Sequence, residues 1–470
     1  MCRSRNRKLS GTGCRPTRLA SRRFGEHSLM PAHFRRISRA APTVPMCSRS
    51  PRSNRSKEFN MASATNLRKS AKRRASTAIS LALAASMGLA ACGSSDEGKS
   101  DATGLTGTCG TVPSKGLKDT SGVIKKLGSE YVSAYDGYPK TVEASPWADW
   151  KPSGPGPYTV GLSIQEPNNP YLQTLTTALK EALANAENVG EVKTVQAPLG
   201  STAAQLQQIN QLVQEKVDLL VVVPNSPDAL AAAADKAAKQ NIPTIAFVNV
   251  TPSRNVINIA ENTYKNAANA AAQMAKNIGG KGKILAVHAL PSVSLDKETF
   301  AGWRAAWDQC PGITVDDSPI GEFNPPVAKT QVSTYLGSHP QKVAASAQVA
   351  TMGAAVISAF EQSGRPVPPM VDMSASVGSL AYWKAHKAEL KSVAIVDGPK
   401  ASSEATGRVV ALMLAGHGPK VTDLVSSLPV VTGQNLDDYV PAGAKEDDLA
   451  PAELPSGSFL PDSYLRKLFN

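Results

Sequence analysis

Between Tyr158 and Ala415 the apolar positions keep switching between two spacings. Short, nearly continuous apolar runs (YTVGLSI from Tyr158, EVKTVQA from Glu191, DLLVVVP from Asp218, PTIAFV from Pro243) alternate with stretches whose apolar residues recur every three or four positions. Leu172, Leu175, Leu179 and Leu183 mark that step within 171–186, and Leu206, Ile209, Leu212 and Val213 mark it within 201–216. This is the signature of helices with one buried stripe, and a third helix is predicted over 228–240. Continuous apolar runs are expected where both faces of a strand are covered, as in a parallel sheet. A second series follows Glu261-Asn262. It predicts helices over 264–278, 295–309, 327–336, 351–362, 378–389 and 402–415. The strands between them are KILAVHA, GITVDD, KVAASA, PPMVDMS and SVAIVD. Such alternation predicts an α/β fold with parallel sheets and right-handed crossovers. There are too many units for one ordinary sheet. The predicted architecture is therefore two similar doubly wound parallel-sheet lobes joined by a multi-strand hinge. Lobe 1 is expected to hold 158–260 plus 398–418, and lobe 2 to hold 261–397 plus 419–440. A C-terminal tail takes 441–470. The chain is expected to cross between lobes near Glu261-Asn262, near Asp397-Gly398, and a third time after Gly418.

The region before Tyr158 reads differently. Residues 109–157 carry scattered helical signal over 123–132, several aromatics and a closing KPSGPGP break. They are predicted to form an N-terminal extension draped on the main fold. Residues 92–108 are rich in Gly, Ser, Asp and Thr, as a flexible tether is. Ahead of them, LRKSAKRR leads into ASTAISLALAASMGLAA and then Cys92-Gly93-Ser94-Ser95. A cationic stretch, a short charge-free apolar run and small residues at a cut site predict a signal peptide over 61–91. The run falls short of the roughly 20 apolar residues of a bilayer span. Leu89-Ala90-Ala91-Cys92 resembles a bacterial lipobox. That resemblance implies cleavage before Cys92, with lipid on its thiol and on the new amino terminus, and anchorage at the outer face of the cell membrane. More than one acyl chain makes such anchorage lasting. The alternative is an ordinary secretory signal with a bystander cysteine. Residues 1–60 are Arg/Ser/Pro-rich and aperiodic, so they are expected to stay disordered. Met61 is then the working start, with 1–60 untranslated; a real basic arm is the rival reading.

The charge balance changes meaning once it is divided. Residues 1–91 hold 20 Lys+Arg and 2 Asp+Glu, which leaves 31 basic and 36 acidic groups for 92–470. The net +13 of the whole chain thus belongs to the leader, and the body is mildly acidic at −5. Nucleic-acid binding, which needs a basic stripe on the folded part, is excluded as a default. After residue 91 only Cys92, Cys109 and Cys310 remain. In an exported protein Cys109 and Cys310 are free to pair, but nothing in the sequence brings them together, and the question stays open. No CxxC or Cys/His spacing suggests a metal, and no cofactor is expected.

The stretch GLSIQEPNNPYLQTLTTALKEAL resembles the opening of the ribose-binding group of type I periplasmic solute-binding proteins. In that group a first strand runs through an Asn-Asn-Pro-aromatic turn into a long helix. DLLVVVPNSPDAL, NIPTIAF and VINIAENTYKNAANAAAQMAKNIGGKGKILAVHA are similar to the family's third strand, fourth strand and crossover into the second lobe. The resemblance covers about residues 158–435. The residues alone agree with it, because ligands of open α/β sheets collect at the carboxyl ends of strands. Asn168 reads as an N-cap, and Pro170 suits the first helical position. By the resemblance, Asn169 contacts the ligand and Tyr171 stacks on it; a hydrophobic staple is the equal alternative for Tyr171.

Other positions matched to the family's pocket are Asn225 just beyond Val223, Asn249 after Val248, Thr299 with Lys297 close by, Gln348 after Ala347, and Asp397. Met373 and Ser374 stand where the sugar binders place an Asp. Sugar binders grip hydroxyls with ionised Asp and Arg, whose charge-assisted hydrogen bonds are the strong kind. A pocket that has exchanged most of these for Val, Met and Ala is expected to prefer a less hydroxylated or flatter ligand.

No G-x-S-x-G, H-E-x-x-H, P-loop or G-x-G-x-x-G occurs, so no catalytic residues are assigned. Gly279-Gly280-Lys281-Gly282-Lys283 lacks the Ser/Thr of a P-loop and reads as a helix stop. His288 reads as a satisfied strand histidine. The expectation is a monomeric, lipid-anchored solute-binding protein that closes its lobes on a small polar ligand, sugar or sugar-like, and delivers it to the permease of an ABC importer. A ligand-sensing lipoprotein that presents its bound state to a membrane receptor is the alternative, followed by an extracytoplasmic enzyme.

Overall fold

The computed structural model describes Leu105 and residues 107–470. The expectations for 1–60, for the signal peptide and for Cys92 lie outside the described residues, as does most of the tether. The extension opens with two short helices, α1 (Val123–Leu127) and α2 (Ser129–Ala134). The first lobe then runs β1 (Tyr158–Gln165), α3 (Pro170–Ala184), β2 (Val189–Ala197), α4 (Thr202–Gln214), β3 (Leu219–Val222), α5 (Pro227–Ala238), β4 (Thr244–Phe247) and β5 (Val256–Glu261). The second lobe starts with α6 (Thr263–Asn277), β6 (Lys281–Val287), α7 (Ser294–Trp307), β7 (Gly312–Asp316) and α8 (Pro325–Ser338). It continues with β8 (Ala345–Gln348), α9 (Gly353–Gln362), β9 (Met370–Met373), α10 (Val377–Ala385) and β10 (Val393–Ile395). After these come α11 (Pro399–Leu414), β11 (Asp423–Ser426), β12 (Val430–Val431) and α12 (Asp462–Lys467).

Two six-stranded sheets result, in the orders β2-β1-β3-β4-β5-β11 and β7-β6-β8-β9-β10-β12. Every pairing is parallel except β10 with β12. The predicted two-lobed parallel architecture is what the chain adopts. The leucine stripe of α3 (Leu175, Leu179, Leu183) is fully buried, each side chain contributing about 1.5–3 kcal/mol. The helices start where side chains answer their free N–H groups. Asn169, Ser226 and Asn324 cap α3, α5 and α8, each followed by Pro in the first turn. Asn169 is thus the cap of α3, accepting from the Leu172 N–H at 2.9 Å, while Asn168, the expected cap, is exposed. In the second lobe α6 lies tight against α7. A Cβ on Gly302 would press on the Tyr264 carbonyl oxygen and the Ala267 side chain, and the alanine-rich α6 permits that approach.

One boundary differs from expectation. The sequence places 419–440 in lobe 2, yet β11 joins the first sheet, with Asp423 opposite Asn258 on β5. The third crossing therefore falls between β11 and β12. The short run VTDLVS carries no alternation that selects one sheet over the other, and side chains from outside the strand decide. The buried Asp423 carboxylate accepts from Tyr138 (3.1 Å), Lys140 (3.3 Å) and Asn258 (3.0 Å). Two of these donors belong to the extension.

The extension and the tail each touch both lobes. Ala144 bridges to Val421 beyond the sheet edge, and the Trp147 and Trp150 indoles donate to the Asn255 and Asn241 carbonyls. At its other end the extension is joined to the second lobe by a disulfide from Cys109 to Cys310, just past α7. The tail pairs with the start of α10, where Ala452 N–H donates to Ala375 and Val377 N–H to Ala450, both at 2.8 Å. It then reaches the first lobe, where Arg408 holds Asp462 at 2.6 Å, and the extension, where Tyr464 stacks on Tyr131 at 4.3 Å. Among the described residues no helix is long and apolar enough to cross a membrane.

Candidate ligand cleft

Parallel strands deliver their carboxyl ends to one edge of a sheet, where loops and helix starts can point polar groups outward. At that edge of the first lobe lie Asn169, Tyr171, Asn225 and Asn249. Three of the four direct their side chains at the protein itself. Asn169 caps α3. Asn225 accepts from Gly200 N–H at 3.0 Å and donates to the Pro198 carbonyl at 3.3 Å. Asn249 donates to the Pro224 carbonyl at 3.2 Å. Tyr171 packs against the core, and burial together with the carboxylates of Asp397, Glu261 and Glu453 holds its phenol well above the usual range, so it stays neutral.

On the second lobe, Lys297 is exposed and Thr299 is buried with its hydroxyl bonded to the Leu295 carbonyl of its own helix at 2.8 Å. Gln348 ends β8, fully buried, and neither atom of its amide has a hydrogen-bond partner among the described residues. Asp397 sits at the second crossing with Oδ1 unpartnered among them. The expected grouping of eight residues therefore divides. Tyr171, Gln348 and Asp397 lie with the groups described next; Asn169, Asn225, Asn249 and Thr299 hold local structure, and Lys297 faces solvent.

Four further carboxyl groups, none of them at a position matched to the family's pocket, accompany Asp397. Glu261 ends β5 at the first crossing and accepts from Asn266 at 2.8 Å. Asp372 lies on β9 directly opposite Gln348, buried, with both oxygens unpartnered. Glu298 projects from α7. Glu453 comes from the tail, fixed by the Lys400 N–H at 3.0 Å, and its Oε1 is unpartnered. Loss of water raises all five. The Glu298 and Glu453 carboxyls go up to about 7, and Asp372 to about 6. Glu261 and Asp397 are raised by burial, and Glu261 further by the neighbouring Asp397 charge. None of the five forms an ion pair within 4.0 Å among the described residues. The site thus gathers more carboxylates than the sequence predicts, in which Asp397 is the one acid among the matched positions. Glu261 was visible only as a crossover marker, and Glu453 carried no signal because nothing in the tail's sequence announces its return to the hinge.

His288 is satisfied, with Nδ1 2.6 Å from Asp296 and its ring stacked on Phe300. Gly279 and Gly280 both have φ +68 and close α6, as a helix stop requires. Among the described residues no cluster of three His, Cys, Asp or Glu is placed to hold a metal.

Two parallel-sheet lobes, crossed three times and meeting at their strand ends, define the architecture of type I periplasmic solute-binding proteins. Residues 160–418, more than half of the chain, match the periplasmic binding protein domain family, and the chain belongs to that family of substrate-binding transport proteins. It is 23% identical over 295 residues to the ribose import binding protein of Bacillus subtilis, spanning 61% of this chain and 91% of that one. It is 25% identical over 240 residues to a xylitol-binding protein of Mycolicibacterium smegmatis, spanning 50% of this chain and 67% of that one. The fold is similar to that of an ABC transporter solute-binding protein from Thermobispora bispora, with a TM-score of 0.58 and 23% identity over 66% of this chain and 95% of that one.

Proposed function

We propose that the chain captures one small polar solute, a sugar or a sugar-like molecule, between its lobes and delivers it unchanged to an ABC importer. The observation that carries this reading is the set of unpartnered polar groups that the second lobe, the second crossing and the tail bring to the strand ends between the lobes. The Gln348 amide, both Asp372 oxygens and Asp397 Oδ1 are buried without a hydrogen-bond partner among the described residues, and such groups are costly unless something answers them. The names of the two relatives, ribose import and xylitol binding, point to polyhydroxylated solutes. Micromolar capture requires about −8 kcal/mol, within reach of several hydrogen bonds at about 1 kcal/mol each plus the burial of Tyr171. Capture proceeds by rotation of the lobes about the three crossings. The Leu89-Ala90-Ala91-Cys92 sequence supports a lipid anchor on Cys92 that keeps the monomeric protein at the outer face of the membrane.

A thermal-shift screen over sugars, polyols, nucleosides and amino acids tests the reading. A true ligand at a hundred times its Kd adds about 2.7 kcal/mol of stability and is recovered intact. Chemical turnover of the bound compound, or no shift across the screen, rejects solute delivery. Mass spectrometry of the membrane-bound protein is expected to find acylated Cys92 at the amino terminus; an unmodified thiol there rejects the anchor.

A further inference from the structure

Any ligand of this cleft meets carboxylates on several sides. Asp372 and Gln348 are opposite each other in the β8–β9 register, so their side chains stand on the same face of the second sheet. The Ser379 hydroxyl and the Gln348 amide both face the Asp372 carboxyl and favour its charged form, although neither reaches hydrogen-bond geometry. Asp397 lies within electrostatic reach of Asp372, and both Glu261 and Glu453 feel it in turn. Positive charge is sparse here. Lys400 reaches Glu453 alone and is itself exposed. Lys297 is exposed on α7, and His288 is already engaged by Asp296.

We propose that the solute captured here carries a protonated amino group, seated among Glu261, Asp372 and Asp397, with Glu453 of the tail closing the site. The inference rests on the solute-capture reading and names the ligand's class within it. One observation supports it independently of the acidic cluster. Gln348 is fully buried with an unanswered carbonyl and an unanswered amide beside Asp372, a pair suited to a ligand that both donates and accepts. The carboxylates are also too dispersed to hold a metal ion, because no three acidic or imidazole side chains are so placed among the described residues. Dispersed acceptors fit the three divergent N–H bonds of an ammonium group. Such a ligand supplies the missing countercharge, whereas a neutral polyol leaves the desolvated carboxylates facing one another. Burial already holds these carboxyls partly protonated near neutrality, so binding an ammonium group releases protons.

The test is calorimetric titration of the mature chain with matched pairs that differ only in an amino group for a hydroxyl: D-glucosamine against D-glucose, and 2-amino-1,3-propanediol against glycerol. At pH 7, where both amines are largely protonated, the amine of at least one pair is expected to bind tenfold or more tightly than its partner, and the preference is expected to shrink at pH 5. Asp397→Asn and Glu453→Gln should each reduce that preference while leaving the fold intact, as judged by circular dichroism. Equal or tighter binding of the neutral members at both pH values overturns the charge inference and leaves capture standing. No binding by either member of any pair overturns the inference, and a screen that is also empty for every other solute class sinks solute capture itself.

Discussion

At the edge of the first lobe, Asn169, Asn225 and Asn249 direct their side chains at the protein's own backbone. Across the cleft and at the crossings, Gln348, Asp372, Asp397 and Glu453 hold polar atoms that no described residue answers. The difference separates two uses of the same chemistry. A short amide at a strand end can shape the loop that carries it, or it can wait for a ligand, and only the surrounding backbone decides. Groups of the first kind should matter for stability and groups of the second kind for affinity.

The largest expected effect concerns what holds the two sides together. The Cys109–Cys310 disulfide closes a loop with a sequence separation of 201, and removing both cysteines by substitution with Ser is expected to cost about 2–5 kcal/mol. Denaturant titration with and without reductant measures it. Loss of the lobe 2 attachment alone, with Trp147 and Trp150 still protected on lobe 1, would show that the extension belongs to the first lobe.

Next comes the division of labour itself. Asp397→Asn is expected to weaken ligand binding about ten- to hundredfold, corresponding to a charged hydrogen bond of about 1.5–3 kcal/mol, without loss of stability. Asn225→Ala removes two loop hydrogen bonds and is expected to lower stability by about 1–2 kcal/mol with affinity little changed. Calorimetry and chemical denaturation of both variants read the two columns, and a reversed pattern breaks the comparison. A smaller effect is that of Asn169→Ala, about 1 kcal/mol of helix-cap stability. A tenfold loss of affinity in that variant would show the cap also touching ligand.

The acidic side carries a pH signature of its own. A carboxyl raised on folding keeps its proton in the native state where the unfolded chain has lost it. For Glu298, the stability this lends is whole below about 4, declines as pH rises toward about 7, and is flat beyond. Glu298→Gln should therefore be more stable than the parent at pH 8 and equal to it at pH 4, as pH-resolved denaturation would reveal.

The two-lobed fold was legible because continuous apolar strands and leucine-striped helices alternate without interruption from Tyr158 onward. The placement of β11 was not, because its strand pattern suits either sheet and the choice is made by Tyr138 and Lys140 from far along the chain. The site was half legible. The resemblance to the sugar binders pointed to Gln348 and Asp397, yet spacing says nothing about whether an amide is already bonded, as Asn225 is. Glu453 depends on a tail that returns across the hinge, a contact between residues distant in sequence and without local signal.

Small-angle X-ray scattering of the mature chain, titrated with the tightest solute found, tests the central claim most directly. Capture between closing lobes predicts a fall in the radius of gyration that saturates at one ligand per chain and is lost in Asp397→Asn. A bound solute with an unchanged radius of gyration would contradict it.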